Sequence, residues 1–140
     1  MIEGRWKGAL AMGLPWVAVV AAVMLYLPDD YRVLVVWLWP LISSVLMGCG
    51  VAVYLGGHML LAGFNTMSEG ERSAFDMDRV TSFTGISLAL LSYGFFLIWP
   101  LSAFYGPTVS LVMTVAFAAG TILMVVLLNT ARFKAVPPRE

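Results

Sequence analysis

Charged side chains are scarce in this 140-residue chain, which has eight Lys and Arg residues and eight Asp and Glu residues. Charged residues make up 11% of the sequence and hydrophobic residues 61%. Soluble domains have roughly 25% charged and 45–50% apolar residues, so the composition excludes an ordinary soluble domain. The net charge is zero, and nothing in the composition therefore indicates a nucleic-acid partner.

The chain also has a single cysteine, Cys49, and a single histidine, His58. One cysteine excludes an intramolecular disulfide and the paired thiols of a quinone-linked thiol oxidase. On a helix, Cys49 and His58 would lie about 180° apart, because successive residues are separated by about 100°. The two side chains therefore cannot bind one metal ion from the same face of the helix. We expect neither a metal site nor a cofactor.

Four long apolar runs are present, and none of them contains Asp, Glu, Lys or Arg. About 20 such residues cross a bilayer core roughly 30 Å thick as a helix, which satisfies its own backbone hydrogen bonds. The sequence therefore predicts an all-α integral membrane protein with a single domain over residues 1–140. Its four transmembrane helices are expected at about residues 8–27, 37–62, 80–99 and 107–131, with a polar loop at 63–79.

Prolines modify these predicted helices. The second run, residues 33–62, would be about 45 Å long as one helix, well beyond the bilayer core. Pro40 removes one backbone N–H and clashes with the preceding turn, so we expect a kink or a separate turn at about residues 36–40. Pro15 should bend the first helix in the same way.

The distribution of Lys and Arg predicts the orientation. Short connections, at residues 28–32 and 100–106, imply two antiparallel hairpins. This topology places only Arg32 on one side and seven basic residues on the other: Arg5, Lys7, Arg72, Arg79, Arg132, Lys134 and Arg139. Because basic residues concentrate on the cytoplasmic side, we expect a cell-membrane protein with both termini and the 63–79 loop in the cytoplasm.

A ridge of small residues recurs every four positions along the second predicted helix, at Ser44, Gly48, Ala52 and Gly56. Small residues at this spacing allow another helix to approach closely in a membrane. The ridge therefore predicts a helix-packing face, whose partner is either another helix of this chain or another protein. Shorter pairs of the same kind are Ala9 with Gly13, Gly85 with Ala89, and Ala116 with Gly120.

The 63–79 loop contains a helix-capping signal. Ser68 followed by Glu71 matches the capping box, in which each side chain bonds the backbone N–H of the other residue. We therefore expect a short helix from Glu69, with Phe75 turned toward the membrane surface. Asp76 or Asp78 can cap the third transmembrane helix.

The same loop resembles a known family. The segment Gly63-Phe64-Asn65-Thr66-Met67-Ser68, followed by Glu71 and Phe75-Asp76, is similar to a motif of small bacterial and archaeal membrane proteins. These form the family numbered 3784 among domains of unknown function. The resemblance covers about residues 40–130 and implies a multi-pass membrane protein without an assigned activity. It marks six loop residues as a motif: Asn65, Thr66, Ser68, Glu71, Phe75 and Asp76. This chain has Phe64 and Phe75 where the family usually has Tyr, and an extra helix precedes the motif.

His58 is the most notable polar residue within the predicted helices. Thr81, Thr84 and Asn129 are expected at a similar depth on the other helices, so the four side chains are a candidate polar cluster. Ionisable residues inside a membrane are candidates for function. The alternative is structural: His58 bonds a neighbouring helix or reaches the membrane interface.

The function indicated by these features is not enzymatic. A small multidrug transporter needs a membrane carboxylate for proton coupling, and the predicted helices contain none. Nothing orients Ser43, Ser44 and His58 as an intramembrane protease would require. We expect an accessory subunit that packs against the bilayer and the helices of other membrane proteins. The alternative is a homo-oligomeric channel, a transporter-like protein or a lipid-binding protein.

Overall fold

The computed structural model describes residues 2–26, 34–57, 60–61 and 66–128. The elements in these ranges are five helices: α1 (Ile2–Tyr26), α2 (Leu34–Tyr54), α3 (Glu69–Ser73), α4 (Met77–Tyr105) and α5 (Pro107–Leu128). Three of them, α1, α4 and α5, are long and apolar enough to cross a membrane, and α2 has a shorter apolar stretch, Leu38–Tyr54. The predicted helical, membrane-like character of the chain is thus confirmed.

The end of α2 differs from the predicted range of 37–62, because the helix stops at Tyr54. Gly56 has a φ of 111°, which favours glycine. The N–H of Gly56 bonds the carbonyl of Val53, and the N–H of Gly57 bonds that of Ala52. This pair of bonds is the Schellman arrangement that terminates helices. Hydrophobicity alone extended the predicted helix past these two glycines.

The start of α2 also differs from the prediction. The helix begins at Leu34 and contains Pro40 in its interior, so no separate turn occupies residues 36–40. The Ser43 hydroxyl lies 2.9 Å from the carbonyl of Trp39 and 3.1 Å from that of Pro40, and bonds this turn. Pro15 likewise lies inside α1. The excess length of the second run is therefore removed at its glycine end and not at Pro40.

Helix α4 (Met77–Tyr105) corresponds to the third predicted transmembrane helix and is longer than the predicted range of 80–99. Asp76 caps its first turn by accepting from the N–H of Arg79, and the helix continues through Pro100 to Tyr105. The predicted connection at 100–106 is reduced to Gly106, whose φ is 87°. Continuing the helix keeps backbone groups bonded in an apolar environment. Pro107 then opens α5, since proline fits the first helical position.

The central contact of the fold is the close crossing of α2 and α4. A Cβ placed on Gly85 would lie 2.7 Å from the carbonyl oxygen of Gly50, so position 85 needs glycine. A Cβ on Gly50 would lie 3.0 Å from the carbonyl oxygen of Gly85, which is a tight contact. Trp39 near the start of α2 stacks on Phe95 in the second half of α4, with ring centroids 4.4 Å apart. The two helices therefore run in opposite directions.

The two remaining long helices pack on either side of this pair. Trp16 of α1 is buried in a cluster with Met47 of α2 and Ala89 and Phe96 of α4. Leu128 at the end of α5 packs against a cluster that contains Val80, near the start of α4. Consequently α5 is antiparallel to α4. No residue of α5 is buried, so most of its surface faces outward.

Candidate functional site

A polar junction joins the first turns of α1 and α4 to the last turn of α2. At its centre, Nη1 of Arg5 donates to the carbonyl oxygen of Tyr54 at 2.9 Å and to Oγ1 of Thr81 at 3.1 Å. Nη2 donates to the carbonyl oxygen of Asp78 and to Oγ of Ser82, both at 3.2 Å. One side chain near the N-terminus thus connects three helices that are distant in sequence.

The electrostatics of this junction are favourable. Nη2 of Arg5 also lies 3.2 Å from Oδ1 of Asp78, and the Arg5 side chain is 16% exposed whereas that of Asp78 is 61% exposed. The cation sits at the C-terminal end of α2 and the anion in the first turn of α4, where the helix dipoles stabilise each of them. The guanidinium also lies 5.8 Å from the centroid of the Tyr54 ring. Gly8 permits this arrangement, because a Cβ there would lie 2.9 Å from Cζ of Tyr54.

Sequence reasoning missed this site, because it treated Arg5 only as one of several cytoplasmic charges. The hydroxyls of Thr81 and Ser82, one turn into α4, did indicate that a polar partner lies near this end of the helix. Nothing in the sequence pairs them with residue 5, since the contact depends on how α1 packs across α2 and α4.

The predicted polar cluster is only partly within the described residues. Thr81 is 2% exposed and belongs to the Arg5 junction, and its hydroxyl also donates to the Met77 carbonyl at 2.8 Å. Thr84 is 3% exposed, and its Oγ1 has no hydrogen-bond partner among the described residues. His58 and Asn129 lie outside the described residues, so the cluster stays a prediction.

The small-residue ridge of α2 is not the face that packs against α4. The contact with α4 uses Gly50, which faces Gly85. It also uses Ser43, whose carbonyl oxygen accepts a hydrogen bond from the Ser92 hydroxyl at 2.7 Å. A Cβ on Gly48 would meet no atom within 4 Å. Of the other ridge positions, Ser44 has its Oγ 3.4 Å from Nε1 of Trp16 in α1. Ala52 is half-buried, and Gly56 lies beyond the end of α2.

Two buried hydroxyls at the contact of α2 and α4, those of Ser43 and Ser92, have hydrogen-bond partners. Both residues are fully buried, and the Ser43 hydroxyl bonds carbonyls of its own helix. The Ser92 hydroxyl donates across to the Ser43 carbonyl of α2. Nε1 of Trp39 similarly donates to the carbonyl of Phe95 at 2.8 Å. In a membrane, such interhelical bonds fix the register of neighbouring helices.

The loop motif forms the predicted capping box. The N–H of Ser68 donates to Oε2 of Glu71 at 2.8 Å, and the N–H of Glu71 donates to Oγ of Ser68 at 3.3 Å. The bonds from the Ser68 backbone and side chain lower the pKa of the exposed Glu71 carboxyl. Both bonds favour the charged form, and the predicted short helix from Glu69 is confirmed.

The rest of the motif surrounds the start of α4. Oδ1 of Asp76 accepts from the N–H of Arg79 at 3.2 Å, and its Oδ2 lies 3.0 Å from Nε of Arg79. Phe75 is half-buried and packs against a cluster that includes Val80. Thr66 is exposed, and Asn65 lies outside the described residues. The motif residues that the structure describes thus build the entry into α4.

Within the described ranges, no three His, Cys, Asp or Glu side chains lie close enough together to hold a metal ion. The grooves between helices are lined mainly by apolar groups. One of about 290 Å³ lies between α2, α4 and α5 and is lined by Ile42, Val45, Leu46, Cys49, Phe95 and Phe117.

Together these features define a small all-α protein of membrane-like composition, with a polar junction at one end of its long helices. Residues 40–132 match the family described as "Domain of unknown function (DUF3784)". The chain belongs to this family, as the resemblance of its loop predicted. The match begins within α2, so α1 lies outside it. Neither the curated proteins nor the solved structures contain a significant match to the chain.

Proposed function

We propose that this chain crosses the cell membrane four times, with both termini and the loop that contains α3 in the cytoplasm. We further propose that it is a non-enzymatic accessory subunit, which packs against the helices of a larger membrane complex. Its partners are then the bilayer and the apolar helices of other membrane proteins.

Helix lengths support the four crossings. The 21 residues of α2 extend about 31 Å at 1.5 Å per residue, which is close to the roughly 30 Å of the bilayer core. The alternating directions of α2, α4 and α5 fit sequential crossings. Arg5 and Lys7 near the start of α1 and Arg72 and Arg79 around α3 support a cytoplasmic location for this end.

The observation that carries the packing role is the open space at Gly48. Ser44 and Gly48 are exposed on α2, while the neighbouring Leu41 and Val45 project outward with 62% and 61% of their surface exposed. A glycine one turn beyond such side chains leaves a notch, because no described atom lies within 4 Å of its Cβ position. A partner helix gains more dispersion contacts in this notch than a mobile lipid chain does.

The outward surface of α5 provides a second apolar face. The helix has no buried residue, and its exposed side chains are large and aliphatic: Leu111, Val112, Val115, Ile122, Leu123, Val125 and Val126. This face fits either lipid or a partner helix.

The test is gentle extraction from the native membrane, followed by a native gel and identification of the co-migrating chains. The proposal expects a band well above 15.3 kDa that contains unrelated membrane proteins. Gly48→Leu should fill the notch and release these partners. Gly94→Leu is the matched control, because a Cβ on Gly94 of α4 also meets nothing within 4 Å, and it should retain them. A band that contains only this chain would reject the accessory role.

The groove of about 290 Å³ favours a second candidate function, lipid binding. Its lining residues come from three helices, and all of them are apolar or weakly polar. One outcome would replace the first function by the second. In it, the extracted chain co-migrates with no other protein, and one defined lipid stays bound after the bulk lipid has been washed away with detergent.

A further inference from the structure

The first helix is attached to the rest of the chain by few anchors. Among its described side chains only Ala9 and Trp16 are buried, with 5% and 4% of their surface exposed. The Trp16 ring contacts Tyr93 and Phe96 edge-on, with centroids 5.0 and 5.1 Å apart. The hydroxyl of Tyr93 donates to the carbonyl of Met12 at 3.1 Å. Further along the helix the half-buried Val19, Val20 and Val23 pack against the same cluster as Trp16. Arg5 is the anchor at the opposite end of α1, which enters the polar junction.

These anchors form one stripe on α1. Arg5, Ala9, Met12 and Trp16 follow one another at intervals of four, three and four residues, so they lie on one side of the helix. Such a stripe is typical of a helix that docks into a groove as a separate element.

The surface under α1 belongs to the family-matched part of the chain. Among the described residues, Arg5 bonds Tyr54, Asp78, Thr81 and Ser82, which all lie within residues 40–132, whereas α1 lies outside this range. The helix is therefore an addition to a pair of helices whose mutual contacts do not involve it. The crossing of Gly50 with Gly85 and the hydrogen bond between Ser92 and Ser43 hold α2 and α4 together without α1.

We propose that Arg5 is a latch, which holds α1 closed on the α2–α4 pair and whose loss allows α1 to leave this pair while α2 and α4 stay packed. Arg5 makes four hydrogen bonds and one ion pair across the junction. The polar bonds of Met12 and Trp16 supplement it, but the second is long at 3.4 Å. Opening uncovers Met47, Ala89 and Phe96, which Trp16 covers in the closed state. This latch does not depend on the accessory role proposed above, because all its parts lie in one chain.

The experiment measures how well α1 protects a thiol at position 9. The full chain carries Cys49→Ala and the reporter Ala9→Cys, and a small apolar maleimide that partitions into detergent micelles labels it, because position 9 lies in an apolar helix. In the closed state the introduced thiol is buried and reacts slowly. Arg5→Met should raise the labelling rate about tenfold or more, since even one hydrogen bond to a charged group shifts an equilibrium that far. Arg5→Lys should give an intermediate rate, because an ammonium replaces only part of the planar fork.

Lys7→Met is the matched control, because Lys7 lies on the same helix with the same charge but is exposed. It should leave the labelling rate unchanged, and equal effects of Arg5→Met and Lys7→Met would overturn the latch in favour of a general charge effect. A second reporter, Ser92→Cys in the Cys49→Ala background, tests the α2–α4 contact. It should stay protected in Arg5→Met, and exposure of both reporters would overturn the proposal by showing that the whole bundle opens.

Discussion

The close crossing of α2 and α4 makes a quantitative prediction about Gly85. In Gly85→Ala the new methyl group would lie 2.7 Å from both the Gly50 carbonyl oxygen and Cα of Tyr54. Both neighbours are backbone atoms that cannot rotate away, so the helices must separate. Overpacking of this kind costs about 1–3 kcal/mol, and the better helix propensity of alanine offsets about 1 kcal/mol of this. The net loss in the free energy of unfolding should be up to about 2 kcal/mol.

The control is Gly94→Ala on the same helix, where the methyl group meets nothing within 4 Å. It receives the propensity gain without the clash, so the two variants should differ by about 1–3 kcal/mol. The measurement is reversible unfolding in mixed detergent micelles, with helicity as the readout. Equal stabilities of the two variants would refute the close crossing of α2 and α4.

Two further predictions concern the loop and the first helix. Ser68→Ala should destabilise α3 by about 0.5–2 kcal/mol and raise the pKa of the Glu71 carboxyl toward its ordinary value, which NMR titration of that carboxyl measures. Because folding lowers this pKa, the capping box stabilises the loop at pH values above the ordinary carboxyl pKa. This stabilisation is lost as the pH falls through the lowered pKa. An unchanged Glu71 pKa in Ser68→Ala would contradict the capping role of Ser68. Trp16→Ala should reduce stability by about 3–5 kcal/mol, because it leaves a cavity in the buried cluster. Trp6→Ala, at a residue 54% exposed, should cost far less, and equal losses in thermal unfolding would show that Trp16 is not a core residue.

The sequence could predict features that depend on neighbouring residues. The capping box of Ser68 and Glu71 spans one turn, and Asp76 precedes the helix that it caps, so local chemistry determines both. The four apolar runs were equally clear, because a soluble helix seldom excludes charged residues over twenty positions. The predicted end of α2 at residue 62 was wrong because the feature that ends the helix is a backbone conformation and not a side-chain property. Gly56 and Gly57 lie inside an apolar run, and hydropathy carries no information on backbone conformation.

The packing faces could not be derived in the same way, because they depend on how the helices are rotated. Both Gly48 and Gly50 lie on α2, and the repeat of small residues every four positions favoured Gly48. The structure places Gly50 against α4, opposite Gly85, so the close approach occurs where two glycines face each other and not along the ridge. A Cβ on Gly48 meets no atom within 4 Å, which is why the proposed partner contact is placed there. The same rotation brings Arg5 of α1 to the end of α2. The open glycine at position 48 and the nearly buried arginine at position 5 thus have separate consequences. The proposed contact with a partner depends on Gly48, and the proposed attachment of the first helix depends on Arg5.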